Sequence, residues 1–259
     1  MAKNGKIISI SSVKGGVGKT TMAINLAGIY YMMKKRVLLI DADFFGGGIS
    51  VWLDSRNSKD IFMLMDGISN HRYSGIRDYV VSYNSGIDVL ASPKDPRNAL
   101  KVDSKYIPII FEFARREYDI IIVDTNHIMN EINLMILDYV DTTLFMVTND
   151  LLDLKNTKTF LNIFKETGKS NFIVCLNQSR DTGKDYLSLF DIRNILKCNI
   201  NYTIPSSFYI KNIDKYVLDG EILTLNNKIY KSHAGDISRL EMIARELIKE
   251  ADDEKGKFD

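Results

Sequence analysis

Short runs of β-branched and other apolar residues alternate along this chain with longer stretches in which apolar positions recur every three or four residues. The short runs predict strands at Lys6 to Ser11, Arg36 to Ile40, Ile87 to Ala91, Ile120 to Val123, Thr142 to Thr148, Phe172 to Leu176 and Ile200 to Ile204. The helix-period stretches are Thr20 to Met33, Ser104 to Arg116, Leu151 to Lys165, Leu187 to Leu196, Ser207 to Leu218 and Asp236 to Ala251. In the last of these, Ile237, Leu240, Ile243, Ala244, Leu247 and Ile248 form one stripe, which we assign to the core. Strands apolar on both faces and separated by helices predict an α/β fold, a mostly parallel central sheet with helices on both faces. Ser55 to Gly86 is less regular and reads as helix and loop.

Composition narrows the class. A chain of 259 residues with 45% hydrophobic content can bury one large core, so residues 1–251 are expected to form one domain, followed by a charged, fraying tail at 252–259. Lys plus Arg (34) nearly balance Asp plus Glu (33), so any contact with nucleic acid or membrane must be local. Cys175 and Cys198 form no CxxC pair and read as reduced thiols, the pattern of a cytoplasmic protein. Met1 to Lys6 is short and polar, which leaves no room for a signal peptide before the apolar Ile7 to Ile10. No apolar stretch approaches the roughly 20 residues of a spanning helix.

The chemistry begins where the first strand meets the first helix, at Lys14-Gly15-Gly16-Val17-Gly18-Lys19-Thr20-Thr21. Glycines there let successive N–H groups turn inward, and the helix start adds partial positive charge, so the segment reads as a nucleotide phosphate-binding loop. Lys19 would neutralise the outer phosphates and Thr20 would ligate Mg2+. The ordinary loop has glycine five residues before Gly18, where this chain has Val13. Next, Asp41 and Asp43 close the second strand run. Side chains alternate with period two, so both carboxylates face one way and suit Mg2+ and an attacking water, though strand-end aspartates also suit turn caps. Finally, Tyr118 to Asp124 is an apolar run ending in a carboxylate, the shape in which Asp124 holds Mg2+ through its water shell. His127 follows in Asp124-Thr125-Asn126-His127-Ile128, either near the outer phosphate or as a hydrogen-bonded structural histidine.

With Lys14 at its head the loop resembles the deviant Walker A form, KGGxGK[ST], of the ParA/MinD superfamily of dimerising P-loop ATPases. The resemblance implies ATP and Mg2+ as cofactors and a homodimer with ATP sandwiched at its interface, where Lys14 reaches the partner's phosphates. It implies that Asp43 orients the hydrolytic water, that Asn177 meets the adenine edge, and that the loop at Pro205 closes over the base. Partitioning and division members usually continue from the Walker B aspartate into a proline-containing segment, and this chain does not. Gly86 to Pro93 with Asp95-Pro96, Asp141 to Asn156, and Tyr202 to Ser206 look like the CpaE/TadZ branch of pilus-assembly ATPases. Many members of that branch carry a receiver-like domain before the ATPase, whereas here five residues precede the first strand run. The branch implies a protein partner in a pilus or secretion machine and recruitment to a cell pole or membrane-bound apparatus. A partition ATPase coating DNA is the alternative, resting on Lys34-Lys35-Arg36, Arg115-Arg116, Lys211, Lys215, Arg239 and Arg245. A MinD-like membrane helix is not expected, because the final segment carries Glu241, Glu246, Glu250, Asp252, Asp253 and Glu254.

Overall fold

The computed structural model describes residues 4–53, 59–179 and 187–249. In its first half β1 (Lys6–Ser11), α1 (Lys19–Met32), β2 (Val37–Ala42), α2 (Gly48–Trp52) and α3 (Ile61–Ser69) lead to a hairpin of β3 (Val81–Asn84) and β4 (Ile87–Leu90). Then come α4 (Pro96–Ala99), α5 (Ile107–Glu117), β5 (Ile120–Thr125), α6 (Glu131–Tyr139), β6 (Thr142–Val147) and α7 (Leu151–Glu166). The chain continues through β7 (Phe172–Asn177), α8 (Leu189–Leu196), β8 (Tyr202–Ile204), α9 (Ile213–Leu218), α10 (Asn227–Ser232) and α11 (Ala234–Leu247). The expected tail at 252–259, Ala251 and the first residues of Ser55 to Gly86 lie outside the described residues.

The described strands form one sheet in the order β3-β4-β2-β5-β1-β6-β7-β8, parallel except for β3. The added edge strand β3 falls in the stretch read as helix and loop. Its residues are only half-buried, so no apolar run marks it; Asn84 makes the turn by accepting from the N–H groups of Gly86 and Ile87, both at 2.9 Å. Alternation along the central strands sorts the core into two faces. Ile8, Ile10, Val37 and Leu39 pack beneath α1 and α11, while Ile7, Leu38, Ile40, Ile121 and Val123 pack beneath α3, α5 and α6. A third cluster joins Phe145, Val147 and Leu176 to α7 and α8.

One expected helix differs and one helix was not expected. Ser207 to Leu218 is not one helix: a 3-10 turn, Ser206–Phe208, ends at extended Tyr209, and Asn212 adopts a left-handed conformation (φ 59°) before α9 begins. Phe208 and Ile210 are thereby turned inward. Helix α6 was not marked by the pattern; Asn130 starts it by accepting from the Asn133 N–H.

The stripe of α11 is core. Ile237, Leu240, Ile243, Ala244 and Leu247 are buried against α1, and the Tyr30 hydroxyl donates to the Ala244 carbonyl at 2.8 Å. Among the described residues no helix is long and apolar enough to cross a membrane. At the opposite end of the sheet, Asp141 accepts from the Ile7 N–H (2.6 Å) and from the Arg115 guanidinium (2.7 Å), tying β1 to α5 and β6. We predict that Ile243→Ala lowers unfolding free energy by about 2–5 kcal/mol, the usual cost of a large-to-small change in a closed core. Urea unfolding followed by circular dichroism measures it, and an unchanged midpoint would show that α11 does not carry the core.

Candidate functional site

Strand β1 ends in Ser11 and the next seven residues curl back over the carboxyl edge of the sheet to start α1. The curl depends on backbone that glycine adopts without strain: Gly16 has φ 74° and Gly18 φ 98°. At Gly18 a side chain would also collide, since its Cβ would lie 2.8 Å from Nδ2 of Asn177.

Inside the curl the Lys19 ammonium donates to the Ser12 hydroxyl (2.9 Å), which donates in turn to the Lys14 carbonyl (2.7 Å). Burial lowers the pKa of Lys19, and the carboxylates of Asp124, Asp43 and Asp153 oppose that shift. Thr20, one residue on, donates to Oδ2 of Asp124 at 2.6 Å. Register brings Asp41 level with Asp124 on adjacent parallel strands, and both are essentially fully buried.

The acidic residues differ in what they touch. Asp41 accepts from the Asp43 N–H (3.2 Å) and the Ile49 N–H (3.1 Å), so both its oxygens brace the loop between β2 and α2. Burial raises its pKa well above the ordinary carboxylate value; the neighbouring Asp124 adds to this and the two N–H bonds oppose it. Burial likewise pushes Asp124 up to about 7, against the Thr20 hydroxyl and the Lys19 ammonium. Oδ1 of Asp124 is buried without a hydrogen-bond partner. Asp43 is half-exposed and accepts from the Gly46 N–H through Oδ1 at 3.2 Å.

A metal ion fits this donor set in one manner. Among the described residues no group of three or more His, Cys, Asp or Glu side chains could cage a cation. A hydroxyl and an unsatisfied carboxylate oxygen beside a phosphate loop instead suit Mg2+, which keeps its waters and binds through one or two protein oxygens plus phosphate.

Lys14, expected to act on a partner, pairs within the chain with Asp150 at the start of α7 (3.2 Å), each side chain 44% exposed. An ion pair that open to water is worth at most about 1 kcal/mol. Beyond the loop a cavity of about 570 Å³ opens between α1 and the segment after β8. Gly16, Val17, Gly18, Thr21 and Asn177 line it, while Gly15 lies outside it against His127. Asn177 donates to the Val17 carbonyl (2.9 Å) and accepts from the Ser179 N–H (3.1 Å), so it fastens β7 to the loop. Pro205 is the residue just before the 3-10 turn, and the wall comes instead from Ile204, Phe208, Tyr209 and Ile210. Sequence reasoning missed Phe208 and Tyr209, although an aromatic pair three residues past a strand-end proline was the available signal. It also missed Ser12 and Asp150, whose roles arise only from contacts across the loop.

Residues 5–175 match the family model described as an AAA domain. The chain belongs to that family. Its mostly parallel eight-stranded sheet with flanking helices matches the fold of ParA/MinD P-loop NTPases. An uncharacterised ATP-binding protein of Methanocaldococcus jannaschii is 24% identical over 207 residues, covering 80% of this chain and 76% of that protein. Among solved structures, a ParA family ATPase from Chlorobium tepidum superposes with a TM-score of 0.79 at 20% identity, covering 95% of this chain and 100% of the other. The septum site-determining protein MinD of Pyrococcus horikoshii, complexed with Mg-ADP, superposes with a TM-score of 0.76 at 19% identity, covering 98% and 100%. The likeness to these two structures establishes the shared fold.

The raised Asp124 carboxyl makes stability of the nucleotide-free AAA-domain chain depend on pH. A carboxyl whose folded pKa exceeds its unfolded value, about 3.9, contributes stability in full below that value and loses it as pH rises through the folded pKa near 7. Asp124→Asn removes the cost of ionisation. At pH 8, without Mg2+, the variant should be more stable relative to wild type than at pH 4, by on the order of 1 kcal/mol or more. Denaturant midpoints at the two pH values test this; equal differences would mean that Asp124 is ionised throughout at no cost.

Proposed function

We propose that residues 1–251 form one Mg-ATP-dependent ATPase domain that dimerises around ATP and acts as a switch on a protein partner. The observation that carries this reading is the convergence of the Lys19 ammonium, the Thr20–Asp124 pair and the inward-turning loop at one sheet edge. Ligands of open parallel sheets collect at that carboxyl edge. The Mg-ADP bound to the superposable Pyrococcus protein supports the same choice of ligand.

The residues divide the work by position. Gly15, Gly16, Val17, Gly18 and Thr21 cradle the phosphates with backbone N–H groups, and Lys19 compensates their charge. Thr20 and Asp124 hold Mg2+, whose charge when bound offsets that of the phosphate oxygens. Asp41 holds the following loop in place, and Asp43, half-exposed at its head, orients the water that attacks the outer phosphate. The base occupies the cavity beside Asn177, against Phe208 and Tyr209. Lys14 leaves Asp150 to reach the partner's phosphates, an exchange that gives up only a weak surface pair.

The partner we propose belongs to a pilus or secretion machine, to which a cytoplasmic dimer would be recruited at the cell pole or membrane. The segments Gly86 to Pro93, Asp141 to Asn156 and Tyr202 to Ser206 support it by their likeness to the CpaE/TadZ pattern. DNA partition is the second reading, favoured by the superposition on a ParA family ATPase. Against it, two of the basic residues it would draw on are already engaged: Arg36 faces Asp119, and Arg115 is held by Asp141.

Lys14→Ala and Asp43→Ala should separate the steps. The first should bind ATP but not dimerise with it; the second should bind and dimerise, then hydrolyse at least about a hundredfold more slowly, in the range by which a positioned proton acceptor speeds such chemistry. Light scattering and phosphate release read the two steps. Normal ATP-dependent dimers of the Lys14 variant, or wild-type turnover of the Asp43 variant, would remove those roles.

The ATP-bound dimer should show no tight duplex DNA binding at physiological salt, because that needs a basic surface that displaces counterions. Gel shifts over a salt series measure this, and steep salt-dependent binding would favour partition over the pilus reading.

A further inference from the structure

We propose that His127 donates a hydrogen bond to the terminal phosphate of ATP and so makes this chain distinguish ATP from ADP. The inference rests on the ATP reading above and adds a contact to it.

The segment after β5 is a turn closed on itself. Oδ1 of Asn126 accepts from the Ile128 N–H (2.8 Å) and from Nδ2 of Asn133 (2.7 Å), while that same Nδ2 also donates to the Ile128 carbonyl (2.5 Å). Asn126 and Asn133 are buried. His127 stands at the tip of this fixed turn, exposed, and forms no hydrogen bond or ion pair among the described residues. The expectation of a hydrogen-bonded structural histidine is therefore not met; the two asparagines do that work.

The ring has a definite place. A Cβ on Gly15 would lie 3.5 Å from Nδ1 and 3.6 Å from Cε1 of His127, so the imidazole covers the loop backbone at Gly15 with no side chain between. Gly15 follows Lys14, whose carbonyl accepts from the Ser12 hydroxyl that holds the Lys19 ammonium. In such loops that ammonium serves the β- and γ-phosphates. The base cavity opens on the other side, past Gly16 and Thr21. An imidazole at Gly15 thus faces the outer phosphate, and it carries an N–H donor whether neutral or charged. ADP lacks the acceptor.

Equilibrium titration of the full chain with ADP and with AMPPNP, each with Mg2+, tests the assignment in wild type, His127→Ala and His127→Gln. A hydrogen bond to a charged acceptor is worth about tenfold in affinity or more. In His127→Ala the dissociation constant for AMPPNP should rise by about that factor while that for ADP stays put, and the thermal midpoint without nucleotide should match wild type. His127→Gln, which keeps an N–H donor, should recover part of the AMPPNP affinity. An unchanged AMPPNP-to-ADP ratio in both variants, or an equal loss for both nucleotides, would overturn the proposal, as would a lowered midpoint with discrimination intact. Wild type that binds neither nucleotide would instead overturn the ATP reading itself.

Discussion

Parallel pairing of β2 with β5 sets Asp41 beside Asp124, two buried carboxyls on neighbouring strands about 5 Å apart. Burial raises both pKa values, with Asp124 adding to the rise of Asp41, and the arrangement persists because polar groups converge on it. The Lys19 ammonium, the Thr20 hydroxyl and the N–H groups of Asp43 and Ile49 are those groups. The first turn of α1 and the loop after β2 are therefore folded around two buried carboxyl groups. A divalent ion held there as proposed would favour the ionised carboxylates that burial disfavours.

Much of this was legible because local backbone demands dictated the residues. A loop that turns its N–H groups inward needs positive φ, and glycines at 16 and 18 announce it. The position of Asp124 was legible from the apolar run before it, because a parallel strand buried on both faces stays apolar until it nears the sheet edge, where β5 carries Asp124 and Thr125. Less could be read where roles depend on what lies across a gap. Strand β2 extends past Ile40 through Asp41 and Ala42 because they pair with Asp124 and Thr125, so a carboxylate that looked available to a metal sits inside the sheet edge. The pairing of Lys14 with Asp150 joins residues far apart in sequence and leaves no periodic trace.

The segment after β8 shows a different limit. Apolar positions between Ser207 and Leu218 suggest a helix, yet Phe208 and Ile210 are needed in a cavity wall rather than on a helix stripe, and Asn212 supplies the left-handed residue that permits the break. Tertiary need overrides local preference there, as it does at β3, whose half-exposed residues are drawn into the sheet by the Asn84 turn. The acidic final helix proved to belong to the core, because its apolar stripe fits the buried face of α1.

The loop headed by Asp43 runs straight into α2, and that short helix ends in Trp52, the sole tryptophan of the chain. Its indole N–H donates to the Glu221 carbonyl at 3.0 Å, two residues before Leu223, which lines the cavity beside Asn177. The loop headed by Asp43 and the cavity wall are thus joined through α2 and one hydrogen bond, so that a shift of the loop would pull on the wall. With a nucleotide bound as proposed, loss of a phosphate at one end would be felt at the other, and the indole at the joint would register the movement in its own fluorescence.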